Sequence, residues 1–265
     1  MRIYKIIWLG TVISLALAAA YGAFMYVYTD HMFAPVTLLA QPNPAAPALA
    51  WNGPARVFVH KVNTPKRAQR KENKFDGFEV DVWTAGNEIL AAHDEKQAAK
   101  KITLEAIFRA VKNPAAKMWW LDLKTNLTPQ QLQDLVLTAQ KYHIPKTNLL
   151  FEAAAGPTAR LIKQNGLGLL LPIPDGFEQD NQNPARRNTL NKQALALWEE
   201  YQPVAAVASF GKYGHLKAYF PQMPKAIYYS STRRPSLKKP LMKQHIQKDP
   251  SVKIFMLDEY TWFNL

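Results

Sequence analysis

The chain has 265 residues, 48% of them hydrophobic and 20% charged, which excludes a disordered or collagen-like protein. It contains no cysteine, so disulfide scaffolds, thiolate zinc sites and cysteine nucleophiles are excluded as well. A formal net charge of +13 favours anionic partners such as phosphate esters or lipid head groups.

Residues 6–28 carry no charged side chain, a run long enough to cross a hydrocarbon core of about 30 Å. Arg2 and Lys5 precede it, which puts the N-terminus in the cytoplasm and the remainder on the periplasmic or extracellular face. Residues 1–33 are therefore expected to be a signal anchor, a single transmembrane helix, or alternatively a signal segment cleaved near Ala18-Ala19-Ala20. Residues 34–54 follow as a Pro/Ala-rich linker without acidic or basic residues, too extended to join a core. The folded domain is expected over 55–265.

Within it, β-rich runs fall at 56–60, 77–82, 118–124, 148–152, 167–171, 205–209, 226–229 and 252–257. Helical patterns lie between most of them, at 103–112, 128–142, 156–164, 189–201, 212–220 and 236–247. Thr128-Pro129-Gln130-Gln131 is a helix start: a capping hydroxyl, proline at the first helical position and glutamine at the third. The alternation predicts an α/β fold, either a (β/α)8 TIM-type barrel or an open doubly wound sheet. The strand ends favour the barrel. They carry His60, Glu79 with Asp81, Asp122 with Lys124, Glu152, Ser209, Tyr228 and Asp258. Barrel sites draw on many strand ends, whereas an open sheet gathers its polar residues at a switch point. No glycine-rich nucleotide cradle is present.

Strand side chains alternate faces. In 78–82 this puts Glu79 and Asp81 on one face and the apolar residues on the other; in 120–124 it groups Asp122 with Lys124. Three carboxylates at one barrel mouth need a cation or protons, and an all-oxygen set suits Mg²⁺ or Ca²⁺. The plainer alternative is that Glu79 and Asp81 pair with Lys124 or Arg56. His60 and His93 stand at the same expected mouth and could form an acid–base pair. His31, His143, His215 and His245 fall in linker or helix segments and are expected to be structural.

Five segments in this order resemble the glycerophosphodiester phosphodiesterase family of phospholipase-C-like barrels. They are His60-Lys61-Val62-Asn63-Thr64, Gly77-Phe78-Glu79-Val80-Asp81-Val82, His93-Asp94, Thr103-Leu104-Glu105 and Leu121-Asp122-Leu123-Lys124. The first of them also resembles the menorin-type branch. The resemblance covers 55–125. It implies a (β/α)8 barrel, a divalent cation, Mg²⁺ or Ca²⁺, held by Glu79, Asp81 and Asp122, and proton transfer by His60 and His93. Lys61, Asn63, Lys124 and Glu152 complete the expected substrate-binding set. The chain departs from the family pattern in having Lys61 where the family has arginine, and Asp122 where it has glutamate. It also has a shorter insertion after the second strand.

Together these features predict a membrane-anchored, exported phosphodiester hydrolase acting on glycerophosphodiester-like or envelope phosphodiesters. The alternative is a barrel that binds an anionic ligand without turnover. Nucleic acid is not expected, because Lys and Arg are scattered, with clusters only at 66–74 and 233–243. Arg233 and Arg234 are expected in a loop at the mouth, and 172–188 as a long rim loop.

Overall fold

Strand β1 (Arg56–Val59) pairs in parallel with both β2 (Gly77–Ala85) and the last strand, β9 (Val252–Leu257), so the sheet closes on itself. The structure is a computed structural model and describes residues 11–24, 55–177, 184–229 and 244–258. Between β2 and β9 the ring continues through β4 (Met118–Leu123), β5 (Leu149–Glu152), β6 (Gly168–Pro172), β7 (Ala205–Ser209) and β8 (Lys225–Tyr229). All eight ring strands are parallel. This is the expected (β/α)8 barrel. A short strand, β3 (Glu88–Ala91), lies outside the ring and forms an antiparallel hairpin with the extended end of β2.

The helices are α2 (Pro65–Lys71), α3 (Glu95–Ala98), α4 (Leu104–Ala110), α5 (Pro129–Lys141), α6 (Pro157–Gln164), α7 (Pro184–Tyr201) and α8 (Tyr213–Tyr219), with a further turn at 244–248. Helix α1 covers the described residues 11–24. The Thr128 hydroxyl accepts from Gln131 N and the Gln131 side chain accepts from Thr128 N, the reciprocal cap written in the sequence. Thr103 caps α4 one way only, its hydroxyl accepting from Ala106 N. Helix α2 starts on Thr64 and Pro65, a cap and first-turn proline that sequence periodicity passed over.

Two apolar layers hold the barrel. Outward strand residues Val80, Val82, Leu121 and Phe151 pack with Ile107, Phe108, Leu132 and Ile162 of the helices. Inward residues Phe58, Trp120, Leu150, Leu170, Val207 and Met256 fill the barrel interior. Gly77 begins β2 because a Cβ there would come within 2.5 Å of Phe58 Cζ and 2.7 Å of Met118 O. At the base, the ammonium of fully buried Lys225 donates to the carbonyls of Phe220, Pro221 and Met223 and to Ser251 Oγ.

One sequence expectation is corrected. The rim loop expected over 172–188 ends early: Pro184 opens α7, and Arg186 and Arg187 belong to that helix. No helix among the described residues is long and apolar enough to cross a membrane, and the described helix at 11–24 is almost wholly exposed. The rest of the apolar run at 6–28, the linker at 34–54, most of the helix expected at 236–247, and Arg233 with Arg234 lie outside the described residues.

Candidate active site at the barrel mouth

The inward residues Phe58, Trp120, Leu150 and Met256 each have a polar residue two positions further along the same face. These are His60, Asp122, Glu152 and Asp258. The same step from Gly77 leads to Glu79 and then Asp81. Register makes these neighbours. Val59 lies between Leu257 and Phe78, so the next position sets His60 between Asp258 and Glu79. One step higher, Asp81 pairs with Asp122, and Asp122 with Glu152. Five adjacent strands, β9, β1, β2, β4 and β5, therefore present one continuous ionisable arc at their C-terminal ends, where barrel enzymes carry their chemistry.

Glu79, Asp81 and Asp122 converge: one oxygen from each lies within 4.8 Å of the others. Glu79 and Asp81 are buried, at 1% and 0% exposure. Asn63 Nδ2 donates to Asp81 Oδ2 at 2.6 Å, and Asp81 N donates back to Asn63 Oδ1 at 3.0 Å. Lys124 Nζ hydrogen-bonds Asp122 Oδ2 and lies 2.9 Å from Asp81 Oδ1. That second contact is an ion pair without hydrogen-bond alignment, since Asp81 Oδ1 has no hydrogen-bonded donor. The Lys61 amide donates to Glu79 Oε2. Lys61 reaches it with a φ of 57°, a left-handed conformation that a non-glycine residue holds at some cost. The Lys61 side chain itself is exposed.

Burial pushes the Glu79 carboxyl well above the usual carboxylate range, and the charge of Asp81 adds to it. Burial likewise raises Asp122, against the pull of Lys124. Glu152 is raised to about 8 by burial and by the Asp122 charge, although Trp120 Nε1 donates to its Oε2 at 2.8 Å. Burial lowers Lys124, but the carboxylates of Asp122 and Asp81 override it and hold the amine above its ordinary value. These carboxyls thus hold protons more readily than free ones, and a bound cation would take the place of those protons.

This donor set fits a hard divalent cation. The three ligand oxygens share one small volume, and the buried Glu79 Oε1 has no hydrogen-bond partner. The plainer pairing is present only in part: Asp81 pairs with Lys124, while Glu79 has His60 Nε2 at 3.8 Å as its ion-pair neighbour.

His60 is held from three sides. Its amide donates to Leu257 O, its carbonyl accepts from the Arg67 guanidinium at 2.9 Å, and its Nδ1 lies 3.3 Å from Asp258 Oδ1. That hydrogen bond lowers the Asp258 carboxyl. His93 stands apart, on the rim. Its side chain is 45% exposed, and within 4 Å it meets a single acidic group among the described residues, Asp94. It follows Ala92, whose amide donates to Asp81 O.

Sequence reasoning missed the roles of Asp258, Arg67 and Trp120. Asp258 was visible as a polar strand end, but its pairing depends on closure of β9 onto β1. Trp120 was readable from alternation, since it shares a face with Asp122.

No protein-family model matches the chain, and neither does any curated protein. Among solved structures, a glycerophosphodiester phosphodiesterase from Parabacteroides distasonis is similar, with a TM-score of 0.53 at 13% identity, covering 79% of this chain and 94% of that one. A glycerophosphoryl diester phosphodiesterase from the same organism gives 0.50 at 11% identity, covering 78% and 84%. N-(5'-phosphoribosyl)anthranilate isomerase from Pyrococcus furiosus gives 0.50 at 8% identity, covering 80% and 92%. Enzymes of different chemistry match alike, so the likeness establishes the (β/α)8 barrel and leaves the chemistry to the residues at its mouth.

Proposed function

We propose that the protein is a phosphodiester hydrolase that works with a divalent cation at the barrel mouth. The observation that carries this reading is the ionisable arc: three convergent carboxylates beside a histidine that is itself oriented by a carboxylate. Two of the similar solved structures bear phosphodiesterase names, which agrees with the resemblance of segments 55–125.

Glu79, Asp81 and Asp122 would hold the cation. When bound, it supplies positive charge to a phosphoryl oxygen and orients the ester. The chain's own groups do the rest. With Nδ1–H donated to Asp258, His60 keeps the lone pair of Nε2 on the pocket side, where it accepts the proton of the attacking hydroxyl. The attacking oxygen, that of water where the diester has no neighbouring hydroxyl, bonds to phosphorus, and the P–O bond to the leaving alcohol breaks. His93 is assigned the proton given to that alcohol, and Lys124 the neutralisation of charge on the phosphoryl oxygens. Asn63 fixes Asp81, and Glu152 borders the site beside Asp122. Lys61 offers an exposed ammonium at the entrance.

The apolar run at 6–28 and the linker at 34–54 support an anchored domain on the outer face of a membrane. A second reading is favoured by one observation: Lys124 already bridges Asp81 and Asp122, so the cluster can be balanced without a metal, as in a barrel that binds its ligand without turnover. Release of p-nitrophenol from bis(p-nitrophenyl) phosphate, with Mg²⁺, Ca²⁺ or EDTA, separates the two. The hydrolase releases product and stops in EDTA; the binder releases none.

A further inference from the structure

Trp83 is unused by the mechanism, yet it continues the carboxylate face. Alternation along β2 puts Glu79, Asp81 and Trp83 on one side, successive members rising by about 7 Å. Register sets Asp81 beside Asp122, so two positions on Trp83 stands beside Lys124, whose amide donates to Val82 O. Trp83 is therefore the next level of the mouth, directly above the proposed metal site.

It is also fixed in place. Trp83 pairs with Leu90 on β3 and packs on Leu90, Ala92 and Ala98, which are 1%, 0% and 7% exposed. The hairpin is tied to the barrel by Thr84 N to Thr125 Oγ1 at 3.0 Å and by Gln131 Nε2 to Gly86 O at 2.8 Å. The indole is nevertheless only half-buried. Trp119 and Trp120 give their N–H groups to Pro114 O and Glu152 Oε2, whereas no such acceptor is present for Trp83 among the described residues. A half-buried indole on a braced hairpin, with no acceptor for its N–H among the described residues and a charged floor below, matches an amphipathic ligand.

We infer that Trp83, backed by the buried Leu90, forms an apolar wall for the alcohol portion of the substrate. The preferred phosphodiester then carries an acyl or alkyl chain rather than a bare glycerol. This rests on the phosphodiesterase reading for its chemistry. The phosphate meets Lys124 and the carboxylate-bound cation, and the chain leaves along the indole.

The test compares lysophosphatidylcholine with glycerophosphocholine, two diesters that differ in one acyl chain. The wild type should show kcat/KM about tenfold or more higher for the acylated diester. W83Q should bring that ratio close to one while glycerophosphocholine turnover stays within about twofold. W83F keeps the wall without the N–H and should keep most of the preference. Equal losses on both diesters in W83Q, or no preference in the wild type, overturn the inference. Affinity for dodecylphosphocholine below its micelle concentration, by calorimetry, gives a readout without turnover. If neither diester is cleaved but W83Q weakens this binding about tenfold, the wall stands and the hydrolase reading fails. Unchanged binding in W83Q overturns the wall.

Discussion

Asp258 Oδ1 lies 3.3 Å from His60 Nδ1, across the seam where the last barrel strand meets the first. The contact selects the tautomer with a proton on Nδ1 and aims Nε2 toward Glu79. Asp258→Asn offers an amide in place of the carboxylate and loses that selection. Turnover should fall by about 10- to 100-fold, the scale for losing a histidine-orienting partner, with KM little changed. Steady-state kinetics beside circular dichroism of the variant check it; unchanged turnover shows that the pairing is structural.

The carboxylate cluster should bind metal as a unit. Glu79→Gln, Asp81→Asn and Asp122→Asn should each weaken Mn²⁺ or Mg²⁺ binding by at least about tenfold. Glu152→Gln, outside the three-oxygen cluster, should change affinity much less. Titration calorimetry measures all four. Equal, small effects throughout would mean that Lys124 already serves as the cluster's cation.

The alternation of 78–82 and 120–124 made the three carboxylates legible in the sequence, because period-two geometry needs only local residues. Strand positions were legible for the same reason, and the Thr128 cap because its partners sit three residues apart. What escaped is long-range. The His60–Asp258 pair spans nearly the whole domain and exists only once the ring closes. The hairpin strand β3 is four residues long, too short for periodicity to distinguish from a loop. His93 lies just beyond that strand, and its side chain is 45% exposed.

Lys225 shows how the base of the barrel is secured. Its ammonium satisfies three carbonyls and the Ser251 hydroxyl in a fully buried setting. Lys225→Met keeps the aliphatic volume but strands those acceptors. It should cost about 3 kcal/mol, given the penalty for several unpaired buried polar groups. Urea unfolding at neutral pH measures the loss, and metal affinity should be unaffected because the mouth lies at the opposite end.

His215 gives the fold an acid limit. Burial lowers its pKa to about 4 from 6.5, aided by Arg187. Its Nε2 lies 2.7 Å from Asn191 Oδ1, and its ring stacks on Tyr219. The unfolded chain therefore takes up a proton below pH 6.5 that the folded protein refuses until about 4. Stability from this site is present above 6.5 and is lost progressively as pH falls toward 4, by roughly 3 kcal/mol in all. Melting temperatures of wild type and His215→Gln across pH 4 to 7 check the sign: the variant should show the shallower fall.

The initial rate of bis(p-nitrophenyl) phosphate hydrolysis by wild type and His60→Ala, each in Mg²⁺, Ca²⁺ and EDTA, tests the central claim most directly. Wild-type protein should release p-nitrophenol with one of the cations and stop in EDTA. His60→Ala should lose about 10²- to 10⁴-fold of that rate while binding the cation as before. No release with any cation, or a rate indifferent to His60, would contradict a hydrolase at this mouth and leave an anion-binding barrel.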